Sequence, residues 1–252
     1  MPRTVAIVQA RWGSSRLPGK VLLALGGTNV LEQVLARCHA IAGVDAVCCA
    51  VSDDLSSEPV AEEAAKCGAA VTRGPLNDVL ERYRSAAEVT EADVVLRVTS
   101  DCPLIDPKVC AAVLDLRERE NLHYACNNMP PSWPHGIDCE AFTRDALERA
   151  AREASASYER EHVTPWIRNN KTLTRGNLAG PGGDTQAYRW TIDYREDYEF
   201  LCALWPHLPN QPCFPSVADV CAVLEEHPEI ARINSTCVDV ARVVKQSRTM
   251  TT

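Results

Sequence analysis

The stretch TVAIVQARWGSSRLPGK, residues 4–20, runs from an apolar segment straight into a basic turn that carries glycines and serines. Residues 4–10 read as a buried strand. In the turn, Gly13, Ser14 and Ser15 present backbone N–H groups of the kind that cradle phosphate oxygens. Arg11 and Arg16 add planar forks, and Lys20 adds a mobile point charge. The glycine spacing fits neither G-x-G-x-x-G nor a Walker A loop. Chemistry alone therefore leaves two readings, an anion site or a basic surface loop.

Strand and helix periods alternate from there to residue 120. Strands are predicted over 44–52, 69–73 and 92–100, and helices over 29–41, 57–68, 77–89 and 106–120. Pro59 lies in the first turn of the second helix and Gly68 just past its end, while Asp106 and Pro107 suit the N-cap and first position of the fourth. Alternation with short connections predicts an α/β three-layer domain around a mostly parallel sheet. Such sheets bind ligands beyond the carboxyl ends of their strands. The turn at 11–20, Arg73-Gly74 and Ser100-Asp101 all follow strands, so all three are expected at that edge.

After residue 120 the pattern changes. Residues 123–142 are rich in proline and asparagine and read as strand, irregular loop, strand. A helix follows over 143–154, and 157–170 suits a salt-bridged amphipathic helix with His162 against the core. Residues 188–194 look strand-like, 195–208 and 216–228 look helical, and a polar tail is expected from 231. Nothing resembles a linker, so 1–230 is expected to form one domain, with any dimerisation element within about 123–190.

The 252 residues carry a formal net charge of -8, which argues against a general nucleic-acid coat. A basic cluster in so acidic a chain suits field focusing in a small pocket. No apolar run is long enough to span a bilayer, and the start lacks a signal-peptide pattern, so a cytoplasmic protein is expected. None of the twelve cysteines forms a C-x-x-C pair or a cluster with zinc spacing, which favours reduced cysteines used as small hydrophobes. The tryptophans at 133, 166, 190 and 205 are read as packing residues.

Two aspartates stand out. Asp101 ends the buried run 92–100, where it suits either Mg²⁺ or a turn. Asp193 precedes a helix and suits either a metal or the N-cap. Together they offer what a magnesium shared with substrate phosphates needs.

The segments QARWGSSRLPGKVL, TRGPLNDVLERY, RVTSDCPLIDP, HGIDCEAF, YEREHVTPWI and TIDYREDYE occur in this order. Over residues 4–205 the chain resembles the cytidylyltransferases of the spore-coat polysaccharide type, relatives of the CMP-KDO and CMP-sialate synthetases. The resemblance implies a nucleotide-diphospho-sugar transferase-like fold and transfer of CMP from CTP, with release of pyrophosphate. It puts Arg11, Ser14, Arg16 and Lys20, with the backbone at Ala10, Gly13 and Ser100, on the triphosphate. Arg73, Asp78 and Arg82 fall toward the nucleoside, and Asp101 and Asp193 on Mg²⁺. Asp138, Glu140, Tyr158, Arg160 and His162 fall where the acceptor is expected, with His162 also the candidate general base. His135 departs from the family's usual aspartate or arginine, and Trp12 from its usual medium-sized residue. The implied partners are CTP and a small anionic acceptor, an acidic sugar or a phosphonate or phosphate, in a homodimer. A glycosyltransferase of the same fold would show Asp-x-Asp, whereas Asp101 and Asp106 have the wrong spacing. A non-catalytic nucleotide-binding subunit would not need both Asp101 and Asp193.

Overall fold

The computed structural model describes residues 2–209 and 214–237. In chain order the elements are β1 (Thr4–Ala10), β2 (Ala24–Leu25), β3 (Thr28–Asn29), α1 (Val30–His39), β4 (Ala46–Ser52), α2 (Glu58–Lys66), β5 (Ala70–Gly74) and α3 (Val79–Val89). There follow β6 (Val94–Thr99), α4 (Pro107–Arg119), β7 (Tyr124–Cys126), β8 (Glu140–Thr143), α5 (Arg144–Glu153), α6 (Ser157–His162) and α7 (Pro165–Asn169). The last are β9 (Arg175–Asn177), α8 (Arg195–Leu204), α9 (Val217–Glu226) and α10 (Pro228–Arg232).

Seven strands form one sheet in the order β5-β4-β1-β6-β8-β7-β9. The first four are parallel, and β8 runs antiparallel between β6 and β7. The chain builds outward from β1 to β4 and β5, then crosses to the other side of β1 to lay down β6. That reversal leaves the loops after β1 and β6 diverging over a crevice, the usual ligand position in such sheets. Tyr83 of α3 ties the two strands from beneath, its hydroxyl donating to the carbonyls of Ile7 and Val98.

Side-chain alternation along β1 explains the three layers. Ala6 and Val8 pack with α1, α2, α4, α8 and α9 on one face, while Val5 and Ile7 pack with α3, α5 and α7 on the other. The adjacent Cys48 and Cys49 divide between the same two cores. All eleven cysteines among the described residues are free, seven of them buried.

The structure departs from the sequence-based expectation at several places. Residues 188–194 do not form a strand; they are extended but pinned piecewise, with Trp190 N donating to His135 O, Ile192 N to Asp101 O, and a single bridge between His135 and Arg189. No neighbouring strand offers them a continuous ladder. Residues 157–170 split into α6 and α7 at Val163, and the hairpin β2–β3 and the edge strand β9 carried no sequence signal strong enough to predict them. Asp193 is not a helix cap; Asp197 accepts from the N–H groups of Asp193 and Tyr194 instead. Within the expected tail, Asn234 is buried and donates to Arg189 O and Asp197; residues 238–252 lie outside the described residues.

Candidate active site

The loop after β1 folds back on itself. Gly19 N donates to Trp12 O, and Gly19 adopts φ 68°, where a Cβ would lie 3.1 Å from the Trp12 ring. Trp12 thus packs the turn, and glycine permits it. The turn delivers Lys20 to the crevice, where its Nζ lies 2.7 Å from Asp101 Oδ2 and 3.0 Å from Asp193 Oδ1 and donates to Ile192 O. Arg16 meets the same Asp193 at 2.8 Å. Burial opposes the charges of both Lys20 and Asp101. Their pairing outweighs it, holding the ammonium above and the carboxyl below its usual range.

Two carboxylates from different parts of the chain therefore face one cation. Hard oxygen donors at the edge of a phosphate-sized crevice fit Mg²⁺, and the ammonium seated between them shows that the pair accommodates a positive charge.

This crevice, about 220 Å³, is lined by Ala10, Arg11, Gly13, Ser14, Arg16, Lys20, Arg82, Ser100, Asp101, His162 and Asp193 among others. Arg82 is 3% exposed; among the described residues its side chain makes one hydrogen bond, 3.4 Å to Ala10 O, and its buried Nε has no partner. Burial pushes Arg82 down from the usual arginine range, and the like charge of Arg11 adds to that. A buried guanidinium without a bonded carboxylate, beside a second arginine, is built for an anion.

A second cavity of about 350 Å³ shares Thr99, Asp101, His162 and Asp193 with the first and continues past His135, Asp138, Glu140, Tyr158 and Arg168. Glu140 is a buried hub: it pairs with Arg97 at 2.6 Å and with Arg168, and accepts from Tyr124 and Thr164. Burial alone would raise its carboxyl, but Arg168 and Arg97 hold it well below the usual range. A depressed carboxylate stabilises the fold above its unfolded value of 4.5, and that contribution is lost as pH falls below it. Denaturant titrations are therefore expected to show stability falling between pH 5 and 3, and Glu140→Gln is expected to flatten that slope; an unchanged slope in the variant would contradict the assignment.

Three residues expected at the site lie elsewhere. Arg73 sits on the edge strand β5, turned outward to Glu58 at 2.7 Å, because alternation along that strand buries Thr72 and exposes its neighbour. Asp78 caps α3 and pairs with Arg160; both line a separate open cavity of about 670 Å³ rather than either of the two above. Conversely, sequence reasoning missed Arg97, Arg168, Arg189 and Asp197. Arg189 donates to Asp193, to the fully buried Asp197 and to His135 Nδ1, so it joins the two cavities from behind. An arginine inside the apolar run 92–100 was a readable signal for Arg97. Arg168 had none, since its partner Glu140 lies 28 residues away; Arg189 stands four residues from Asp193, a spacing that was open to notice.

The sequence profile of the cytidylyltransferase family matches residues 5–225, and the chain belongs to that family. Relatives include an uncharacterized protein of Methanocaldococcus jannaschii, 31% identical over 92% of this chain and 95% of that one. The spore coat polysaccharide biosynthesis protein SpsF of Bacillus subtilis is also 31% identical, over 89% of this chain and 95% of that one. Among solved structures, a cytidylyltransferase from Leptospira borgpetersenii superposes with a TM-score of 0.85 at 31% identity, covering 92% of this chain and 98% of that one. A CMP:2-keto-3-deoxy-manno-octonic acid synthetase complexed with CTP shares the fold, with a TM-score of 0.63 at 20% identity over 81% of this chain and 98% of that one. The chain is thus a nucleotidyltransferase. Among the described residues, no helix is long and apolar enough to cross a membrane.

Proposed function

We propose that the protein transfers CMP from CTP to an acidic sugar of eight or nine carbons, releasing pyrophosphate. The observation that carries this reading is the pair of cavities meeting at Asp101, Asp193 and His162. The first, rimmed by Arg11, Arg16, Lys20 and Arg82, suits the triphosphate. The second, at about 350 Å³, suits a sugar acid better than a small phosphonate, and its lining mixes Arg97 and Arg168 with Asp138 and Glu140, donors for a carboxylate beside acceptors for hydroxyls.

Asp101 and Asp193 would hold Mg²⁺, which when bound supplies charge neutralisation on the phosphates and acidifies an acceptor hydroxyl. Arg16 and Lys20 are placed to meet the negative charge that grows on the departing pyrophosphate. The acceptor oxygen bonds to the α-phosphorus as the bond between it and the α,β-bridging oxygen breaks. His162 lines both cavities, and in this reading it takes up the hydroxyl proton. The rest of the catalysis is positioning.

The test is pyrophosphate release from each of the four nucleoside triphosphates with Mg²⁺ against a panel of acidic sugars and phosphonates. Release with CTP and one sugar acid supports the reading. No release across the panel, together with no CTP binding by calorimetry, sinks it.

A further inference from the structure

Helix α6 contributes to the walls of all three cavities. Tyr158 faces the acceptor cavity, His162 faces both main cavities, and Ser157 faces the outer one. Yet none of its six residues is buried, so apolar packing does not hold it in place. Arg160 does. Its Nε lies 3.0 Å from each carboxylate oxygen of Asp78 and its Nη2 lies 2.5 Å from Oδ2. Its Nη1 donates to Ala151 O at 2.8 Å and Ala154 O at 3.5 Å, at the end of α5. Asp78 at the same time caps α3 through Glu81 N. One guanidinium therefore fastens α6 to the ends of two well-packed helices.

The other end of α6 is fastened by backbone geometry. Val163 adopts φ 69° and ψ −58°, and Thr164 N donates to His162 O at 2.8 Å. This is a positive-φ γ-turn, rare and strained, and the more so at a β-branched residue. Strain of this kind, about 1–3 kcal/mol, persists only where the surroundings over-determine it. Here Val163 is wholly buried and Thr164 donates to Glu140.

We propose that Arg160, clamped on Asp78, is a positioning residue for the transfer, setting α6 so that His162 stands where the two cavities meet and Tyr158 stands on the wall of the second. The proposal rests on the reading that transfer occurs at that junction. A bidentate guanidinium–carboxylate pair fixes orientation as a lysine cannot.

Asp78→Asn is the cleanest probe, because asparagine caps a helix as well as aspartate does but surrenders the charge. Arg160→Met removes the clamp, and Arg160→Lys keeps the charge without the fork. In the first two, kcat is expected to fall on the order of tenfold or more. KM for CTP is expected to stay within about twofold, and Arg160→Lys is expected to recover part of the rate. A second measurement needs no acceptor. The ¹⁵N-imidazole signals of His162, assigned by their loss in His162→Gln, should shift, because a displaced α6 changes which groups of the two cavities face the ring. Amide exchange over residues 157–163 should quicken. The proposal is overturned by unmoved His162 signals and exchange in both variants, or by unchanged kcat. Failure of the transfer reading itself shows separately, as absence of CTP binding to the wild-type protein.

Discussion

Asp101→Asn is expected to lower pyrophosphate release on the order of 10³-fold while moving the melting temperature by no more than about 4 °C. The asymmetry follows from what each charge touches. Lys20 loses one carboxylate but keeps Asp193 at 3.0 Å and the Ile192 carbonyl, so no buried cation is orphaned. Asp193 in turn remains paired with Arg16 and Arg189. The lost pair is partly exposed, a class worth about 1 kcal/mol. Function is more exposed to the change, because asparagine offers a neutral oxygen where two carboxylates would share a divalent cation. Turnover within tenfold of wild type would remove Asp101 from the proposed metal site. A large fall in melting temperature would instead make it a structural residue.

Glu140→Gln is expected to do the reverse, with its main effect on stability. Glu140 is 1% exposed and is the only carboxylate bonded to Arg97 and to Arg168 among the described residues. Breaking a buried pair from one side costs about 3–5 kcal/mol, since it leaves the partner charge without compensation. At this chain length that corresponds to a fall of about 6–20 °C in melting temperature. Arg97 is especially dependent, because among the described residues its Nε already has no partner. Differential scanning fluorimetry decides the matter, and a fall below about 2 °C would show that the hub is dispensable. Glu140 also borders the cavity proposed for the acceptor, so turnover should fall in the variant; its Thr164 bond makes the α6–α7 turn a further casualty.

The two variants separate what local sequence encodes from what it does not. Asp101 was legible as an edge residue because it ends a continuous apolar run, although a turn role suited it as well as a metal. Glu140 was legible as a residue of interest but not in its role. Its partners, Arg97 and Arg168, lie 43 and 28 residues away, and nothing in its immediate sequence names them. The same applies to Asp78 and Arg160, which are 82 residues apart. Each had a plausible ligand role until the fold turned them toward one another. Arg73 failed for a simpler reason. It lies within β5 rather than after it, and β5 is an edge strand two places from β1, where the switch to β6 occurs.

The loop at 11–20 and the alternation to residue 120 specify the layered sheet and its binding edge, because period and turn chemistry are local properties read along the chain. Pairing of side chains across the sheet edge is a different matter. Which charges neutralise one another, and which stay available to a ligand, depends on contacts closed only when distant segments pack. Lys20 between Asp101 and Asp193, Arg189 behind them, and Arg160 on Asp78 are all of that kind. Residues 188–194 make the point most plainly, since an extended run becomes a strand only if a partner ladder is there to receive it. The chain's local pattern thus set where the crevice opens, and its tertiary contacts set which charges face it.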